Sequence, residues 1–221
     1  MSKTLYSMML SEDVVQEVDR LAHLRGTNRS ALVNQILAEY VNLMTPERRI
    51  REIFRQIGEI LDADRELVPN IAPNAQSISL RSSLQVRYRP TVKYSVELYR
   101  ERGEAVGALT VVFRTQSAAL LQSMEEFFRL IARIEDEYVA PRLTQAVRYT
   151  LSPGRFTRTL CPQPSVGPQA KQNIDTREAA QAISEYVRLF DRLMKLYIGG
   201  ADAQTVAQEY LQWLHEGNVI M

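Results

Sequence analysis

Near the start of this sequence, the residues best able to make specific polar contacts are Ser7, inside an apolar run, and Thr27-Asn28-Arg29-Ser30, between two amphipathic stretches. Their chemistry is recognition. A serine hydroxyl can both donate and accept a hydrogen bond. Backbone N–H groups opened by Asn28, with Arg29 and the Ser30 hydroxyl beside them, make an anion clamp. The plainer alternative is that Asn28 only caps a helix and Arg29 is solvated. Bond-making chemistry is not indicated. His23 and His215 stand far apart with no Cys or acidic partner at ligand spacing, so no metal or cofactor is expected, and both should lie at the surface. No Gly-rich phosphate loop or nucleophile motif occurs, so the chain is not expected to be an enzyme.

The elements that must position these residues can be read from pattern. Ser11-Glu12-Asp13 is a helix start, with Ser11 as N-cap and two carboxylates in the first turn, where the helix dipole favours anions. Val14, Val15, Val18, Leu21, Ala22 and Leu24 follow at helical spacing, and Gly26 ends the helix. Asn28 caps a second helix carrying Leu32, Val33, Ile36, Leu37, Tyr40 and Val41, which Pro46 closes. Residues 3–10 precede both helices as a short strand. If Leu10 faces the core, so do Met8 and Tyr6, while Lys3, Leu5, Ser7 and Met9 point the other way. A one-residue slip would present Thr4, Tyr6 and Met8, but would bury Ser7 and expose Leu10.

A strand and two helices of this size expose one apolar face and an unpaired hydrogen-bonding edge. Pairing with a second copy resolves both, giving a homodimer. Residues 1–45 resemble the ribbon-helix-helix repressors, the MetJ and Arc class, through the order strand, L-S-E-D-V-V, G-T-N-R-S-A-L-V and I-L-x-E-Y. The resemblance implies a dimeric bacterial DNA-binding protein that lays a two-stranded ribbon in the major groove of double-stranded DNA. Lys3, Leu5, Ser7 and Met9 would then face the bases, and Thr27, Asn28, Arg29 and Ser30 would hold phosphate. Leu5-Ser7-Met9 is more apolar than the usual triplet of that family.

The whole chain has 221 residues, with 27 Lys and Arg against 26 Asp and Glu, a net charge of +1. Charge alone therefore does not suggest nucleic acid. Residues 1–45 sum to −1, which argues against tight non-specific binding by that unit. The lone Cys161 fits a reducing, cytoplasmic setting, the first residues are not expected to act as a signal peptide, and no run is apolar enough to span a membrane.

Downstream, the expected fold class is α+β: a domain over residues 46–150 with a helix, an antiparallel meander and a long helix, a linker over 151–175, and a helical hairpin over 176–221. The first helix runs from Pro46 to Leu67, with Arg48, Arg49, Arg51 and Arg55 either reaching flanking phosphates or forming a solvated face. Val68 to Asn74 reads as a turn-rich linker. Strands are expected over 84–88, 92–98 and 109–113, with Arg87, Arg89 and Lys93 either forming an auxiliary nucleic-acid or anionic-ligand surface or a solvated face that deters aggregation. A long helix from Gln116 to Ala140 covers the sheet. The hairpin, capped at Asp175 and Asp202, would dock a partner or pack back on the sheet. The functions that fit are a transcriptional repressor or plasmid control protein, with an antitoxin-like interaction module or a relaxosome accessory protein as alternatives.

Overall fold

The computed structural model describes residues 4–62, 67–71, 77–84, 90–100, 105–143, 145–161 and 175–218. It is a mixture of helices and one antiparallel sheet, and it divides into two compact units, Met1–Thr45 and Pro46–Met221.

The first unit consists of α1 (Glu12–Leu24) and α2 (Arg29–Tyr40). Gly26 takes φ +61°, and around it the Gly26 N–H bonds to His23 O (3.1 Å) and the Thr27 N–H to Ala22 O (2.9 Å). These paired bonds close the helix in the way only a left-handed residue permits. Asn42, at φ 54°, repeats the device after α2, with the Leu43 N–H on Ala38 O at 2.8 Å. The second helix therefore stops at Tyr40 through Asn42, and Pro46 instead opens the next helix, where its missing N–H costs nothing. Ser11 occupies the cap position of α1 in extended conformation, but its side chain makes no cap bond.

The second unit begins with α3 (Pro46–Asp62), ending five residues before the expected Leu67. Six strands follow among the described residues: β1 (Leu67–Ile71), β2 (Ser77–Ser83), β3 (Thr91–Leu98), β4 (Gly107–Arg114), β5 (Tyr149–Ser152) and β6 (Arg155–Leu160). They form one antiparallel sheet in the order β1-β2-β3-β4-β6-β5. Between β4 and β5 lies α4 (Ala118–Tyr138), capped by Ser117, whose Oγ accepts from the Leu120 N–H. The chain ends in α5 (Thr176–Ile198) and α6 (Ala203–His215). Asp175 and Asp202 cap them by accepting from the N–H groups of Arg177 and Thr205.

Three expectations need correction. Val68 to Ile71 is not linker but edge strand β1, in which Pro69 is tolerated because an edge leaves one side of the ladder unpaired. The strand before β3 lies at 77–83; Leu84 is buried just beyond it, and 85–89 fall outside the described residues. The linker expected over 151–175 instead contains the end of β5, a turn at Pro153-Gly154 and all of β6. Residues 162–174 lie outside the description. The helical hairpin does not stand apart: Tyr186, Phe190, Tyr210 and Trp213 share one core with Phe127, Phe128, Phe156 and the inward residues of the sheet. Phe190 meets Phe127 edge-on at 5.5 Å and Phe156 at 5.3 Å between ring centres.

Gly154 carries the β5–β6 turn at φ +65°, and a Cβ there would come within 2.6 Å of Phe113 O. Gly154→Ala is expected to cost the second unit about 1–3 kcal/mol, since both the left-handed backbone and the contact oppose a side chain. Urea unfolding measures this; an unchanged midpoint would refute the turn geometry.

Candidate nucleic-acid interface

In the first unit the described core is small. Val18, Ala22 and Leu32 form a cluster with Leu21 and Val33 against it, and Ala38 is also buried. Around it Val14, Leu24, Ile36, Leu37, Tyr40, Val41, Leu43 and Met44 remain exposed. Each large apolar side chain would contribute on the order of 1.5–3 kcal/mol if fully buried. The unit thus leaves more large apolar side chains exposed than it buries.

Residues 4–10 belong to no helix and pair with no strand of their own chain. Their exposure alternates. Leu5 and Met9 are fully exposed (99% and 101%), whereas Met8 and Leu10 are partly covered (56% and 44%). Tyr6, at 82%, follows the pattern only weakly. Ser7 is exposed between Leu5 and Met9, and Lys3 lies outside the described residues.

Thr27, Asn28, Arg29 and Ser30 are exposed together at the start of α2. The Asn28 Oδ1 accepts from the Ala31 N–H at 2.9 Å, leaving the first N–H groups of the helix, those of Arg29 and Ser30, without an intrahelical acceptor. The Arg29 guanidinium turns back onto α1: Nε donates to Asp19 Oδ1 at 2.7 Å, and Nη2 to Asp19 Oδ2. Hydrogen bonding to Arg29 pulls the Asp19 carboxyl below its usual range, and the same bonds raise Arg29. Both side chains are about half exposed, so the pair is screened and is worth little to stability. Its consequence is positional, because Arg29 reaches an anion at the α2 N-terminus only by competing with Asp19. Asp19 is the residue that sequence reasoning missed. It lies ten positions from Arg29 across the Gly26 turn, where no local spacing rule applies.

In the second unit the arginines of α3 are occupied. Arg55 bridges Glu52 (2.6 Å) and Glu59, and Arg48, Arg49 and Arg51 are each engaged in interactions of their own. Lys93 is exposed on β3, while Arg87 and Arg89 lie outside the described residues. His23 and His215 are exposed, and Cys161 is buried as a free thiol. Among the described residues no group of His, Cys, Asp and Glu is arranged to hold a metal, and no helix is long and apolar enough to cross a membrane.

No protein-family model, curated protein or solved structure matches the chain.

Proposed function

We propose that the chain is a sequence-specific DNA-binding protein, acting as a repressor or a plasmid or mobile-element control protein, whose first unit dimerises and places a two-stranded β-ribbon in the major groove. One observation carries this reading: a 45-residue unit with almost no core of its own ends in an exposed segment whose side chains alternate between fully and partly exposed. Units of that size need an added constraint or a partner to be stable, and a second copy covers the apolar helix faces while pairing the segment with its twin. In the ribbon, Leu5, Ser7 and Met9 point outward. Ser7 hydrogen-bonds a base edge, Leu5 and Met9 pack on thymine methyl groups, and the α2 N-terminus holds phosphate.

The test is affinity for the DNA upstream of the chain's own gene and for random duplex, across a salt series. Ser7→Ala weakens the upstream site by about 1 kcal/mol, roughly fivefold, and leaves random duplex unchanged. Arg29→Ala weakens all sequences alike, whereas Asp19→Asn strengthens all alike by releasing Arg29 and removing a carboxylate beside the phosphate. Equal affinities for all three variants would refute the ribbon. Dimerisation without any duplex binding would leave the unit an interaction module.

A further inference from the structure

The sheet of the second unit has one face in the core and one open. On β3, Val92, Tyr94, Val96 and Leu98 are buried, while Thr91, Lys93 and Glu97 are exposed and Ser95 half-buried. Strand register carries this face across the sheet in transverse rows. One row runs Val68, Arg81, Lys93, Val112, Arg155, Ser152. The next runs Asn70, Ser79, Ser95, Thr110, Thr157, Thr150, a line of amide and hydroxyl groups. On the other side of the cationic row, Thr91 pairs with Arg114. We infer that this open face is a second, sequence-independent contact surface for the phosphate backbone of duplex DNA.

The charge arrangement carries the argument. Arg81 and Lys93 are directly opposed on neighbouring strands, about 4.8 Å apart in backbone spacing. Arg155 lies in the same row two strands from Lys93, about 10 Å away. Like charges directly opposite each other destabilise a sheet. Among the described residues no ion pair or side-chain hydrogen bond neutralises Arg81, Lys93, Arg114 or Arg155. Among the described residues of this face the acidic group is Glu97, four residues along β3 from Lys93, about 13 Å away and beyond the Debye length of roughly 8–10 Å. The face is therefore a cationic row flanked by hydrogen-bonding groups, complementary to a line of phosphates.

Its other chemistry narrows the partner. Within the paired strands the described open face carries no aromatic ring, and Tyr99 lies just past the end of β3, so the face offers no run of stacking platforms for single-stranded bases. Its apolar members, Val68, Ala108 and Val112, are small and interspersed, unlike the core of a protein interface. The inference rests on this face and not on the N-terminal ribbon.

The test uses the full chain and a random-sequence duplex of about 30 base pairs. In the triple variant Arg81→Thr, Lys93→Thr, Arg155→Thr, binding at low salt should fall about 10- to 100-fold, and the slope of log affinity against log salt should lessen by about 2–3. Lys93→Thr alone should lessen it by about 1, with a thermal midpoint equal to or above that of the wild type because a like-charge contact is relieved. This single variant decides the matter if the triple variant fails to fold. An unchanged slope in a folded variant overturns the inference. So does a loss confined to binding of phosphatidylserine vesicles with duplex affinity intact. If the sheet variants weaken binding while Ser7→Ala and Asp19→Asn do nothing, the ribbon reading fails and this contact stands.

Discussion

Glu135→Ala is expected to destabilise the second unit by about 3–5 kcal/mol, enough to unfold it near physiological temperature. Glu135 on α4 and Arg158 on β6 are both wholly buried, and Arg158 Nε donates to Glu135 Oε2 at 2.6 Å. Three tyrosines complete the carboxylate's shell. The hydroxyls of Tyr149 and Tyr210 each donate at 3.0 Å, and that of Tyr186 donates to Oε1. The Arg158 guanidinium also lies 4.7 Å above the Tyr186 ring. Removing the carboxylate strands one buried cation and the buried hydroxyls of Tyr186 and Tyr210, which then carry their full desolvation cost, and frees the half-buried Tyr149 hydroxyl. Burial works against the Arg158 charge, but Glu135 beside it outweighs that and lifts Arg158 above its ordinary value. Glu135→Leu combined with Arg158→Met, which removes both charges, should be less destabilised than either single variant. Urea unfolding of these variants decides this; a loss below about 1 kcal/mol for Glu135→Ala would contradict it.

The same network sets the response to alkali. Burial, reinforced by the Glu135 charge, pushes the hydroxyls of Tyr186 and Tyr210 well above the usual tyrosine value, and Tyr149 is raised by the same causes. Groups whose pKa is raised on folding contribute fully below their unfolded value, about 10, and that contribution is lost as pH climbs towards the folded value. Stability of the second unit should therefore hold up to about pH 10 and fall above it.

Leu32→Ala should have the second large effect, confined to the first unit. Leu32 is the largest side chain in the small cluster with Val18 and Ala22, and it is almost fully buried. Truncating a buried leucine costs about 2–5 kcal/mol, which a unit with so little core cannot absorb. The expected result is loss of the helical signal of α1 and α2, and with it of the proposed dimer and the proposed sequence-specific DNA binding, with the thermal transition of the second unit unchanged. A shift of the second unit's transition as well would contradict this expectation.

Much of the local structure was legible because it rests on local chemistry. Gly26 must turn left-handed, and Asn28, Asp175 and Asp202 cap their helices where the sequence placed them. What escaped reading rests on tertiary context. Pro69 argues against a strand unless the strand is an edge, and only the sheet order reveals the edge. β6 was hidden because an arginine occupies an inward position between Phe156 and Leu160, so a buried ion pair broke the expected alternation. The two helices of the first unit and the Gly26 turn between them were readable, but no strand forms over residues 4–10 within the chain, and the Arg29–Asp19 pair depends on how α1 and α2 fold back on each other.

The proposed function requires a dimer that binds duplex DNA through its first forty-five residues. Sedimentation of the full chain, free and with a labelled duplex from upstream of its own gene, tests it most directly. The expected result is a free species of twice the chain mass, two chains or a multiple of two on each site, and loss of both in Leu32→Ala. A folded monomer at micromolar concentration, or one chain bound per site, would contradict it.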